Sequence, residues 1–189
     1  MKSSETSILV VAGHRGAGPD HWQTRLISKL SAAHLVEQND WLHGSLAKAI
    51  EALVDAVIAA EKPVVFVAHS VGASLVAHSV APLTARGVIK KVHGAYLVVP
   101  PNEASLRFLD GIDPLFADVP RDPLPFPSLL VATSNDPCST MEDSASLALA
   151  WGSQLVEAGE AGHIDHRSGH GPWPEGMMRF AGFLSKLQA

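Results

Sequence analysis

Cysteine is nearly absent from this chain. Cys138 stands alone among 189 residues, so no internal disulfide staples the core, and the expected setting is a reducing, cytoplasmic one. Basic charge is also scarce, with 14 Lys and Arg against 19 Asp and Glu and a formal net charge of -5. That balance excludes the basic stripe that follows a phosphate backbone, and with it a nucleic-acid partner. No apolar run approaches the roughly 20 residues of a membrane span. The opening MKSSETS lacks the apolar stretch of a signal peptide. The glycine-rich loop at 13–18 has neither the G-K-[ST] ending of a P-loop nor the G-x-G-x-x-G order, and no acid closes the second strand at the ribose position. His163, His166 and His170, with Asp165 beside them, crowd eight residues but match no metal-ligand spacing. The expectation is therefore no cofactor, no metal and no membrane.

What the chain does contain is apolar mass. It is 47% hydrophobic and 17% charged, the balance of a globular protein, and its length suits one domain over 1–189. Short apolar runs at 7–11, 34–37, 63–68, 92–99, 128–132 and 154–157 read as strands, and their continuous rather than alternating hydrophobicity predicts burial on both faces. Helical patterns lie between them at 20–33, 45–60, 73–85, 103–109, 141–151 and 174–187. In the second of these, Leu46, Ala49, Ile50, Leu53, Val57 and Ile58 form one apolar stripe. Alternating strand and helix predicts an α/β fold: about six mostly parallel strands between two helix layers, joined by right-handed crossovers. The segment 110–127 carries five prolines, which exclude a long helix or a central strand, and reads as a surface excursion.

One strand-to-helix junction carries chemistry. Ala68-His69-Ser70-Val71-Gly72 follows the apolar run PVVFVA and precedes a helical pattern. This is close to G-x-S-x-G, the sharp turn that displays a serine nucleophile above the sheet of an α/β-hydrolase, with alanine in place of the first glycine. Such a serine needs a base, and the base needs an acid, in the chain order Ser, acid, His. Asp136 follows the strand at 128–132, and Pro137 stops that strand's backbone from continuing. His163 follows the strand at 154–157 on a loop that Gly159 and Gly162 make free to turn. In a parallel sheet these loops open at one edge, where ligands bind in such folds. Ser70 is then the nucleophile, His163 the general base and Asp136 its orienting acid. The backbone N–H of Val71, at a helix N-terminus, supplies one oxyanion donor, and the 13–18 loop is expected to supply the second.

Four separated motifs extend the pattern. They are Val11-Ala12-Gly13-His14 with Gly18-Pro19-Asp20-His21-Trp22-Gln23, the Ser70 turn, Ser134-Asn135-Asp136-Pro137-Cys138-Ser139, and Gly159-Glu160-Ala161-Gly162-His163-Ile164 with the Ser168–Gly176 stretch. Together they resemble the YdeN-like small serine hydrolases, relatives of retinoblastoma-binding protein 9. The resemblance spans nearly the whole chain. It implies a compact α/β-hydrolase fold with few residues for a lid, a Ser70–His163–Asp136 triad, and a backbone amide at Gly13 or His14 sharing the oxyanion hole with Val71. It also implies cleavage of ester or amide bonds in small acyl substrates, the carboxylesterase-like reaction being expected first. The alternative is a protein-binding module on a hydrolase scaffold. Of the neighbouring residues, His69 is expected to pack beneath the helix, His21 and Trp22 to anchor the first loop, Trp173 to fix the last helix, and Cys138 to fill space.

Overall fold

The structure, a computed structural model, describes residues 1–38 and 44–188. Six strands form one sheet in the order β2-β1-β3-β4-β5-β6, every neighbouring pair parallel. The strands are β1 (Ser7–Val11), β2 (Ala33–Leu35), β3 (Val64–His69), β4 (Val92–Val98), β5 (Ser128–Ala132) and β6 (Gln154–Glu157). The helices are α1 (Trp22–Lys29), α2 (Leu46–Ala59), α3 (Val71–Ala85), α4 (Glu103–Phe108), α5 (Met141–Trp151) and α6 (Pro174–Lys186). Among the described residues no helix is long and apolar enough to cross a membrane.

Period-2 side-chain alternation divides the strands between two cores. Leu9, Val11, Phe66, Ala68, Leu97 and Leu130 point to one face, where Leu53 and Val57 of α2, Leu75 of α3 and Trp151 of α5 cover them. Ile8, Val10, Val67, Tyr96, Val98 and Val131 point to the other, under Trp22 and Leu26 of α1 and Phe180 and Leu184 of α6. The central strand β3 is buried at all six positions. That double burial is why its sequence runs apolar without alternation.

Four expectations need correction. The helix expected at 20–33 is shorter: His21 caps α1 and Leu30 ends it, because the chain must turn before Ala33 pairs with Ile8. The second strand accordingly starts one residue before 34 and ends at Leu35. The edge strand β6 is not doubly buried, since three of its four residues are exposed. The segment 110–127 is more than a surface excursion. Phe116, Ala117, Val119 and Phe126 are buried in the core that covers α3, and these apolar anchors bind the proline-rich chain to the body of the protein.

Register decides where the loops emerge. Val11 pairs with Ala68, His69 with Val98, Val98 with Val131, and Ala132 with Glu157. The chain therefore leaves β1, β3, β5 and β6 at one edge of the sheet, placing residues 12–14, 70, 133–138 and 158–164 side by side.

Candidate active site

Ser70 occupies the single residue between β3 and α3, with φ 55° and ψ −127°. A non-glycine residue in this region costs roughly 1–3 kcal/mol and persists only where its surroundings hold it. The packing that holds it is tight. A Cβ on Gly72 would stand 2.4 Å from the Val11 carbonyl oxygen and 2.6 Å from that of Ala12, so β1 and α3 approach as closely as a glycine allows. A Cβ on Gly13 would stand 2.9 Å from the Ser70 Cβ, which sets the Gly13 backbone directly against the serine. Ala68, in place of the motif's first glycine, is wholly buried in the strand ladder.

The three separated residues meet. The Ser70 hydroxyl lies 2.8 Å from His163 Nε2, and His163 Nδ1 lies 2.8 Å from Asp136 Oδ1. In the neutral ring these partners fix the imidazole tautomer, with Nδ1–H donating to the carboxylate and Nε2 accepting from the serine. Asp136 is held by its own loop, for Oδ1 also accepts the Cys138 N–H at 2.9 Å. Its side chain is 2% exposed. Burial acts to lower the His163 pKa, but the hydrogen bonds to Asp136 and Cys138 and the charges of those groups outweigh it, and the imidazole is pushed up to about 10.

The oxyanion donors expected from sequence lie beside Ser70. Val71 is the first residue of α3, so its N–H has no intrahelical acceptor. The Gly13 and His14 N–H groups make no hydrogen bond to the described residues. His14 and Val71 line a cavity of about 30 Å³ that Leu75, Gly111, Ile112 and Phe116 complete. A larger cavity of about 650 Å³ between α1 and α6 is lined by Trp22, Leu26 and Phe180, and neither cavity is lined by Ser70, Asp136 or His163.

The loop bearing His163 is fixed from two sides, by contacts that the sequence reading missed. From β5 and the turn after it, the Thr133 hydroxyl donates to the Gly162 carbonyl at 2.6 Å and Asn135 Oδ1 accepts the Gly162 N–H at 2.7 Å. From the other side, His69 Nε2 bonds the His163 carbonyl at 2.9 Å and the Trp22 indole N–H donates to the Ile164 carbonyl at 2.9 Å. His69 thus packs against the base loop rather than beneath the helix. It stands edge-on to His163 and His21, with ring centroids 5.1 and 4.8 Å away. The Trp22 indole thus holds this loop, while His21 donates its backbone N–H to the Gly18 carbonyl of the first loop and caps α1 by accepting the Gln23 N–H. Trp173 stands at the N-cap position of α6 without a capping hydrogen bond, and its ring packs directly against Gly176 in the first turn of that helix. Asp165 is tied to Ser168, whose N–H and hydroxyl both donate to its Oδ1, and it takes no part in the contact between His163 and Asp136. His166 and His170 do not join His163 in a potential metal-ligating group among the described residues; Asp136 and Cys138 do.

Known proteins agree with this architecture. A putative YdeN-like hydrolase from Pectobacterium atrosepticum superposes with a TM-score of 0.80 at 28% identity, covering 96% of this chain and 91% of its own. The ydeN gene product of B. subtilis superposes at 0.75 with 18% identity, covering 96% and 100%. A Thermogutta terrifontis esterase, solved with butyrate bound, superposes at 0.66 with 18% identity over 98% and 85%. At these lower identities the last two likenesses show the fold. No curated protein matches the chain in sequence. A family model described as serine hydrolase matches residues 8–182. The chain belongs to the serine hydrolase family, with a YdeN-like α/β-hydrolase fold.

Proposed function

We propose that this chain hydrolyses esters of short acyl groups through an acyl-enzyme on Ser70, with 1–189 acting as one domain and no cofactor taking part. The observation that carries the reading is the pair of 2.8 Å contacts that join Ser70, His163 and Asp136 in one line. In the proposed reaction the Ser70 oxygen attacks the ester carbonyl while His163 Nε2 takes its proton. Asp136 keeps the Nδ1 proton in place and stabilises the imidazolium. The carbonyl oxygen, now an anion, accepts from the Val71 N–H and from an amide at the Gly13–His14 corner. Collapse of the tetrahedral intermediate breaks the ester C–O bond, and His163 returns the proton to the leaving alcohol. Water, activated by the same histidine, then releases the acid and restores Ser70.

The cavity beside the oxyanion donors supports the choice of acyl group. At about 30 Å³ it has room for about two or three heavy atoms beyond the carbonyl. Its walls are mostly apolar, with His14 and Gln38 the exceptions, and the 110–127 segment supplies Ile112 and Phe116. The butyrate-bound esterase of similar fold points to the same class of substrate.

Intact-mass labelling with a fluorophosphonate tests the nucleophile. One adduct is expected on the wild type, none on Ser70→Ala, and at least tenfold slower labelling of His163→Ala. With p-nitrophenyl esters, kcat/KM is expected to fall by at least tenfold from butanoate to octanoate. A folded wild type that takes no adduct overturns the reading and favours a binding role on this scaffold.

A further inference from the structure

The acid loop carries a group that the proposed hydrolysis does not use. A carboxylate oxygen of Asp136, the Cys138 sulfur and a His163 ring nitrogen all lie within 4.8 Å of one another. A thiol near a histidine is by itself only a contact. The second observation is at Asp136. Its Oδ1 takes both hydrogen bonds that the side chain receives, while Oδ2 is buried with no partner among the described residues. A carboxylate oxygen 98% removed from solvent and left unpartnered bears an uncompensated desolvation cost. A cation held by this carboxylate would offset that cost.

The geometry points to an inhibitory site for a thiophilic divalent cation of the zinc type, formed by Asp136, Cys138 and His163. An oxygen, a sulfur and an imidazole nitrogen form a donor set that suits zinc and disfavours magnesium or calcium. With metal–ligand bonds of about 2.0–2.3 Å, ligand atoms around a tetrahedral zinc lie about 3.5 Å apart. His163 Nδ1 and Asp136 Oδ1, 2.8 Å apart, already lie closer than this, so closure on the ion falls to the Cys138 sulfur, which rotation of its half-buried side chain brings in. The fourth position is left for water.

Binding follows a balanced exchange. The S–H bond of Cys138 breaks and its proton goes to solvent, while the thiolate sulfur bonds the metal. The Asp136 carboxylate gives up the hydrogen bond from Nδ1 for a bond to the ion. His163 Nδ1 becomes a ligand, so its proton moves through solvent to Nε2. Cys138 releases one proton per ion and His163 a second when its ring is doubly protonated, and nothing is oxidised or reduced. The consequence at Ser70 is direct: Nε2 now carries a hydrogen and donates, so it can no longer accept the serine proton. The inhibition rests on the hydrolase reading given above, whereas the metal site itself does not.

The experiment separates the two. Calorimetric titration of Ser70→Ala protein with zinc chloride needs no activity and retains all three ligands. One ion per chain is expected, with proton release seen by comparing buffers of different ionisation enthalpy. Adding Cys138→Ala or Cys138→Ser to that background should weaken zinc binding by at least tenfold, and magnesium at hundredfold higher concentration should not compete. Fluorophosphonate labelling of the wild type is expected to slow at least tenfold in zinc and to recover in EDTA. Each Cys138 variant, measured against its own metal-free rate, should need at least tenfold more zinc for the same slowing. Zinc affinity unchanged by loss of the thiol, or no binding at all, overturns the site. A wild type that resists labelling in EDTA, while Ser70→Ala protein still binds zinc through Cys138, overturns the hydrolase reading and leaves the site standing.

Discussion

At the scale of single residues, His163 is under two opposed influences. Burial favours its neutral form, but the hydrogen bonds from Nδ1 to Asp136 and with Cys138 prevail and raise its pKa to about 10. A general base acts only when neutral, so kcat/KM should rise with pH along a limb displaced well above 6.5, the ordinary imidazole value. Asp136→Asn removes the charge that holds the proton. The limb should then move back toward 6.5 or below, while kcat falls by about 10³–10⁴-fold, because the tautomer and the imidazolium both lose their support. Stopped-flow hydrolysis of p-nitrophenyl acetate between pH 5 and 10.5 measures both. A limb that stays in place in Asp136→Asn would mean that some other group sets it.

At the scale of elements, the fold was legible wherever burial alone decides conformation. β3 and β5 are buried at every position because helices cover both faces, and their mainly apolar runs mark their spans. β2 and the end of α1 were misplaced by a few residues because a turn at Leu30 and pairing with Ile8 set those limits, and neither leaves a periodic signal. The three residues Ser70, Asp136 and His163 were identifiable from chain order and from their places after strands. The supports of the His163 loop were not, since Thr133, Asn135, His69 and Trp22 act through backbone groups of residues 162–164, and a hydrogen bond to main chain leaves no sequence pattern in its partner.

Two predictions belong to the elements. Gly72→Ala would drive a methyl group into the carbonyls of Val11 and Ala12. Backbone cannot step aside as a flexible side chain does, so α3 must shift from β1, at a cost of about 1–3 kcal/mol or more. Urea unfolding should show the midpoint falling with an unchanged m-value. Thr133→Val keeps the shape of the side chain but removes its 2.6 Å bond to Gly162. The lost bond should cost stability by only about 1 kcal/mol. The rate should suffer more, with kcat down by at least tenfold, because a base displaced by a fraction of an ångström no longer meets its serine. A loss in kcat no larger than the loss in stability implies would show that the loop is held without it.

At the scale of the whole molecule, the buried histidines set how stability depends on pH. Burial lowers the His21 pKa to about 4 and holds that of His69 well below 6.5. The geometry agrees, because His21 Nδ1 accepts the Gln23 N–H and would lose that bond on gaining a proton. In the unfolded chain both rings titrate near 6.5. Between about pH 6.5 and 4 the unfolded state therefore binds more protons than the folded state, and stability falls as pH falls through that window. The shift at His21 alone corresponds to about 3 kcal/mol. His163 has the opposite sign: its raised pKa gives stability that is fully present below 6.5 and is lost as pH rises toward 10. Taken together the three histidines place the maximum near pH 6.5. His21→Asn isolates the acid side, since asparagine can cap α1 as His21 does but carries no titrating proton. Its Tm should be lower than the wild type's at neutral pH, because packing is lost, yet should decline less steeply between pH 6.5 and 4. Equal slopes for the two proteins would mean that His21 stays accessible to protons in the folded state and that its burial does not drive the acid response.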